Sequence, residues 1–297
     1  MTPDGEGAAR VASAVGAARA VAAAHGLRTE PRVLQDGMNV VLHLAPAPVV
    51  ARVAGLTRLL RGDGLTTFGR EVSLAGALAS AGAPVVPPSD LLPPGPHRHG
   101  DTVLSFWTYV TVLPERPGPV EAAAAFADLH DHLVDQPAVG APLDTPLADL
   151  ETFLAGAGRW DVADADLDAL AHRLERLRPR LDGDVRALHG DTHPGNLLAT
   201  SDGWRWTDLE DTCSGPLGWD LACLRTTGRL DGRAALDALP AAATDAELAP
   251  WVELRRLHAA VWSVVHASAH RDAAGPARAR LSSALRRELR PVPRDRG

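Results

Sequence analysis

The stretch between residues 187 and 212 narrows the possible folds more than any other part of the chain. An apolar pair, Ala187-Leu188, leads into His189-Gly190-Asp191-Thr192-His193-Pro194-Gly195-Asn196. Leu197-Leu198 then resumes an apolar strand, Ser201-Asp202-Gly203 supplies a turn, and a second strand runs into Asp208. His-Pro-Gly-Asn alone reads as an ordinary β-turn. The whole segment says more, because it sets a carboxylate, an amide and a second carboxylate around one hairpin. A carboxylate can accept the proton of an attacking hydroxyl, and carboxylate and amide oxygens are hard ligands suited to Mg²⁺. Phosphoryl transfer needs both functions, since dense phosphate charge must be screened while a nucleophile is oriented.

The rest of the chain divides at Pro117 and Pro119. Before them, a helix is expected over residues 7–26, short strands over Arg32–Gln35, Asn39–Leu44 and Pro48–Val53, a helix over 66–81, and a strand over 102–112. The intervening 84–100 is dense in proline and glycine and is expected to carry little regular structure. Its His97 and His99 are too few for a metal centre. Beyond the prolines, helical periodicity dominates over 119–135, 145–156, 163–181, 244–271 and 275–289, with 184–212 as the strand-like exception. The expected fold class is α+β: a small N-terminal lobe (1–112) with an antiparallel sheet, and a larger, mainly helical C-terminal lobe (113–297).

In order and spacing, Asp191, Asn196 and Asp208 match the Asp-x₄-Asn loop and later metal-binding Asp of kinase folds. The chain resembles the aminoglycoside phosphotransferase family, which includes choline kinase-like and homoserine kinase-like members. The likeness rests on the 189–196 segment, on Asp208-Leu209-Glu210-Asp211, and on Gly215-Pro216-Leu217-Gly218-Trp219-Asp220-Leu221-Ala222. It implies a bilobal protein-kinase-like fold and transfer of a nucleotide γ-phosphate, from ATP or GTP with Mg²⁺, to a hydroxyl of a small molecule. Aminoglycosides, related antibiotics and amino alcohols are among the acceptors it implies. By the same resemblance Asp191 is the catalytic base and Asn196 and Asp208 are the metal ligands. His189 and Asp220 support the loop and the following helix, and His193 is a positioning residue. A protein kinase proper is disfavoured by Gly190 in place of the arginine of a His-Arg-Asp loop.

The first lobe carries the same resemblance more loosely. Gln35-Asp36-Gly37-Met38-Asn39 is similar to the turn that covers the nucleotide, where a glycine lets backbone amides approach phosphate. Gly37 and Asn39 are therefore candidate nucleotide contacts. Val49-Val50-Ala51-Arg52-Val53 is similar to the strand that carries the phosphate-contacting lysine. Arg52 stands in the lysine's place, and Glu71 falls where a helix glutamate would pair with it. The departure to arginine leaves a non-catalytic nucleotide-binding relative as the alternative. The strand ending near Trp107–Val110 is the expected hinge beside the base.

Composition removes other readings. The chain has no lysine, so all 30 of its basic residues are arginine, which excludes a Walker A loop and Schiff-base chemistry. A net charge of −7 disfavours a nucleic-acid partner. Arg19 interrupts the apolar N-terminal stretch, and neither a signal peptide nor a membrane association is expected. Two cysteines make no disulfide framework, which leaves the cytoplasm as the expected setting. A monomer or a dimer fits equally. Residues 118–182 hold thirteen carboxylates and five arginines. They form either an acidic cleft that would draw a cationic acceptor or a solvated helical surface.

Overall fold

The computed structural model describes residues 3–286. It opens with α1 (Pro3–Ala24), whose Ala14, Ala17, Ala18, Val21 and Ala22 recur at helical spacing and are all buried. These short side chains let the helix lie close against one face of a sheet. The sheet comes from β1 (Glu30–Asp36), β2 (Val40–Ala45) and β3 (Val49–Val53). After the single turn α2 (Arg58–Arg61) and the helix α3 (Leu65–Ser80), it is completed by β4 (His97–His99) and β5 (Thr102–Thr108). All neighbours pair antiparallel in the order β1-β2-β3-β5-β4. Leu42, Leu44, Val49, Ala51, Leu104 and Phe106 from its covered face pack with the α1 stripe.

The proline-rich segment before β4 is not wholly irregular. It supplies the short edge strand, where the half-exposed His97 packs against the rings of His25 and Phe106. The same segment joins the halves of the molecule: Val86 N–H donates to the Trp206 carbonyl (2.8 Å) and Trp206 N–H to that of Pro84 (2.7 Å). The last strand of the sheet ends at Thr108, four residues before the expected limit.

Beyond the sheet come α4 (Pro119–Leu133), α5 (Asp144–Ala155) and α6 (Asp164–Leu177). Next are β6 (Arg186–Leu188), β7 (Leu197–Thr200), β8 (Gly203–Trp206) and β9 (Cys213–Gly215), then α7 (Gly218–Thr226), α8 (Gly232–Asp237), α9 (Ala249–Ala269) and α10 (Ala274–Arg286). The periodic segments fall where the sequence placed helices, the last of them as far as Arg286; residues 287–289 of that expectation lie outside the described residues. The short α2, α7 and α8 lacked a period long enough to read as separate elements. The main core gathers Leu129, Phe153, Leu170, Trp206, Trp219, Leu254 and Val261 between these helices. The architecture is bilobal and protein-kinase-like. No described helix is long and apolar enough to cross a membrane. Cys213 and Cys223 are buried free thiols, and burial pushes both well above the usual thiol range.

Candidate active site

Two loops meet because two pairs of strands hold their ends together. β7 pairs antiparallel with β8, and β6 with β9. The chain therefore passes from β6 through 189–196 into one hairpin, then through 207–212 back alongside β6. Asp191 and Asn196 sit on the first loop and Asp208 on the second.

The first loop is anchored from beneath. The Asp220 carboxylate, fully buried near the start of α7, accepts the backbone N–H of His189 (3.0 Å) and of Gly190 (2.9 Å). Its own carbonyl accepts the Thr192 hydroxyl (2.7 Å), while Trp219 Nε1 donates to the Gly190 carbonyl (2.8 Å). Gly190 has φ +90°, and a Cβ there would lie 2.0 Å from the Asp211 carbonyl oxygen, so only glycine lets the loops touch. His189 Nδ1 accepts the Asp191 N–H (3.2 Å). That leaves its Nε2 to donate to the Thr207 carbonyl (3.1 Å). Burial pulls this imidazole below its usual range, so its neutral tautomer ties one loop to the other.

Above these anchors stand the predicted residues. Asn196 Nδ2 donates to the Asp191 carbonyl (3.0 Å) and to Asp191 Oδ2 (3.1 Å), which turns the amide oxygen away from Asp191. His193 Nε2 lies 3.4 Å from the same Oδ2. Arg255, projecting from α9, pairs with Asp191 Oδ1 and lies over the Trp219 ring. Burial would raise the Asp191 carboxyl, but Arg255 and His193 outweigh it and hold it well below the usual carboxylate range. Asp208 adopts left-handed backbone (φ 66°), uncommon for a residue other than glycine, and this turns its side chain out of β8 toward the first lobe.

Arg52 comes to meet it. Its Nη1 donates to Glu71 Oε1 (2.9 Å), and its Nη2 reaches Asp208 Oδ1 (2.5 Å) and Glu210 Oε2 (2.8 Å). The expected partnership with Glu71 is thus present, and the guanidinium fork adds two carboxylates from the other lobe. Burial, with the like charges of Glu210 and Asp208 adding to it, outweighs Arg52 and pushes Glu71 up to about 8. Glu210 is likewise pushed up by burial, to about 7, against Arg52 and Arg61.

Asn39 is buried, and its amide is engaged by protein groups. Nδ2 donates to Glu210 Oε2 (2.6 Å), while Oδ1 accepts Gly55 N–H (3.0 Å) and the Thr57 hydroxyl (2.9 Å). Gly37 lies in the β1–β2 turn, where its N–H donates to the Asn39 carbonyl (3.1 Å) and its carbonyl accepts from Arg10 (3.3 Å).

Sequence reasoning missed a second buried cluster beneath this one. Arg61 Nε and Nη2 grip Asp149 (3.0 and 2.6 Å), and Nη1 reaches Asp211 (2.6 Å). Asp149 also meets His258 Nε2 (2.9 Å) and Trp262 Nε1 (3.1 Å). One signal was available on α9. Arg255 and His258 fall in the same helical period as the buried Trp251 and Leu254, and polar groups on an apolar stripe need partners.

Asp191, Asn196, Asp208, Arg52, Glu71 and Asn39 all line one cleft of about 980 Å³. The lining continues through the apolar Val41, Val50, Val86 and Leu198 and through residues 107–112, which take in the expected hinge Trp107–Val110. None of the thirteen carboxylates of residues 118–182 lines it. Asp149 is consumed by Arg61, and most of the others are exposed, so that segment is chiefly solvated surface rather than an acidic cleft.

The fold and this cleft define a kinase-like phosphotransferase. The sequence model of the phosphotransferase enzyme family matches residues 3–257, and the chain belongs to that family. It is an enzyme of the small-molecule kinase class with an alcohol as acceptor. Among curated proteins none matches significantly. Among solved structures, the chain is similar to a choline/ethanolamine kinase family protein from Mesorhizobium loti (20% identity, 91% of this chain and 94% of that one, TM-score 0.56). It is also similar to a choline kinase from Streptococcus pneumoniae (14%, 88% and 95%, 0.61). A third likeness is to an aminoglycoside 2'-phosphotransferase in its GDP complex (15%, 90% and 96%, 0.63).

Proposed function

We propose that this protein transfers the γ-phosphate of ATP or GTP to a hydroxyl of a small molecule in an Mg²⁺-dependent reaction. The observation that carries the reading is the convergence of Asp191, Asn196 and Asp208 on one cleft whose other wall is apolar. The apolar wall suits a nucleotide base, and residues 1–112 form the donor-binding lobe above the catalytic lobe that starts at residue 113. Solved relatives hold GDP, or ADP with hygromycin B, which supports a nucleotide donor. A cytoplasmic setting accords with such a donor.

The residues present fit Mg²⁺. The Asn196 amide oxygen and Asp208 are hard donors on adjoining loops, and the Asp208 side chain is 39% exposed. Around them the carboxyls of Glu71, Asp208, Glu210 and Asp211 crowd against the guanidiniums of Arg52 and Arg61, and with burial this crowding pushes Glu71 and Glu210 up, so a further cation would relieve it. A group of three or more acidic, His or Cys ligands is absent among the described residues, which accords with a metal completed by phosphate oxygens and water. When bound, the ion neutralises charge on the transferring phosphoryl group. Asp191 orients the acceptor hydroxyl and takes its proton, Asn196 holds Asp191 in place, and Arg52 contacts the donor phosphates. Arginine in the lysine's place keeps the bridge to Glu71, which supports an active enzyme over a non-catalytic relative.

The test is Asp191→Asn, which keeps the shape and removes the proton acceptor. Turnover followed by mass spectrometry of the phosphorylated product should fall by about 10²- to 10⁴-fold. Unchanged turnover in the folded variant would remove Asp191 from the chemistry.

A further inference from the structure

A second cavity, of about 770 Å³, adjoins the catalytic cleft. It is lined by Arg225, Arg229, Arg255, Arg256, Arg280 and His193 among others, and by no carboxylate among the described residues. That is unusual in a chain whose 37 acidic residues outnumber its 30 arginines. Two of these arginines are matched from outside the cavity, Arg225 by Asp245 (2.8 Å) and Arg255 by Asp191. Arg229 and Arg280 have no carboxylate partner among the described residues, and both are exposed to the cavity's opening.

The cavity is continuous with the catalytic cleft, since His193, Arg229, Arg255 and Arg280 line both. Resting on the reading of Asp191 as the base, we propose that this cavity is the acceptor subsite. We further propose that the acceptor is an anionic alcohol, a hydroxyl compound bearing a carboxylate or a phosphate group. Arginine forks recognise both groups through paired N–H donors. Arg229 and Arg280 would hold the anion, while Arg255 touches both the cavity and Asp191 and so sets the reach from anion to reacting hydroxyl. A volume of this size suits a small molecule. A polycationic acceptor would instead meet arginines and no carboxylate in the lining.

The experiment uses the full-length enzyme with Mg²⁺ and ATP or GTP. Four acceptor sets are compared by mass spectrometry and steady-state kinetics: hydroxy-carboxylates, phosphorylated alcohols, amino alcohols and aminoglycosides. The expected result is transfer to one of the first two sets, which identifies the anion, with kcat/KM at least tenfold above the other sets. In Arg229→Ala and Arg280→Ala the KM for that acceptor should rise by about tenfold or more, as loss of a charge-assisted pair implies, with a smaller change in kcat. A separate arm titrates inorganic phosphate into the enzyme saturated with ADP and Mg²⁺, followed by ³¹P NMR. Binding should weaken at least tenfold in the double variant at constant ionic strength. Preference for amino alcohols or aminoglycosides, or phosphate binding untouched by the double substitution, would overturn the anionic acceptor and leave the kinase reading intact. Absence of both transfer and Mg²⁺-dependent nucleotide hydrolysis would instead overturn the kinase reading and this inference with it.

Discussion

Removing the Asp220 carboxylate should unfasten the loop that carries Asp191. The side chain is fully buried and accepts two backbone N–H groups, those of His189 and Gly190. Asp220→Ala leaves both donors buried without a partner. A hydrogen bond to a charged group contributes about 1.5–3 kcal/mol, so two give an expected loss of about 3–6 kcal/mol. Asp220→Asn keeps one oxygen and turns an NH₂ group toward the second donor, so its expected loss is half that, about 1.5–3 kcal/mol. Equilibrium urea unfolding followed by tryptophan fluorescence is the assay. Trp219 is a suitable reporter because its Nε1 donates to the Gly190 carbonyl. Both variants should also lose turnover, since the loop positions Asp191. If Asp220→Asn and Asp220→Ala unfold within about 0.5 kcal/mol of wild type, the range of neutral surface substitutions, the reasoning fails.

Two further perturbations test the charged clusters. Burial would raise the Asp149 carboxyl, but Arg61 and His258 outweigh it and hold it well below the usual carboxylate range. The folded state therefore binds that proton less readily than the unfolded chain, and this contribution is complete above the unfolded value of about 3.9 and fades as the pH falls below it. Asp149→Asn lacks the contribution, so its stability deficit against wild type in urea should narrow as the pH falls from about 4 to about 2; a constant gap would count against it. Arg52→Lys replaces a fork that meets Glu71, Asp208 and Glu210 with a compact charge that cannot span them. It should cost about 1–3 kcal/mol in the same unfolding assay by leaving a buried carboxylate unpaired, and equal stability would contradict the bridging role.

Much of the fold was legible because its longer elements obey local periodicities. The stripe of α1, the alternation of β2 and the long run of α9 all follow from spacing alone. The hairpin from Leu197 to Trp206 was legible because Ser201-Asp202-Gly203 is a strong turn signal, and Gly203 indeed takes positive φ. The candidate site was legible as three positions, 191, 196 and 208, and as the Arg52–Glu71 pair. The partners of those residues were not. Arg61 reaches Asp149 across 88 residues and Arg255 reaches Asp191 across 64, and no local pattern encodes which carboxylate an arginine will find. The charge of residues 118–182 left two readings open for the same reason, since composition counts charges without saying which way they face. The arginine-lined cavity was invisible because its walls come from the end of α7 and the residues after it, α9 and α10, which only the tertiary fold assembles.

Arg52 belongs to β3, yet its Nη2 rests on Asp208 of the second loop. If Asp208 holds the metal as proposed, an incoming divalent cation competes with a guanidinium for the same oxygen. Domain spacing and metal occupancy would then be coupled equilibria: whatever draws the halves apart would free a ligand, and whatever loads the ligand would loosen a tether, by the same free energy in both directions.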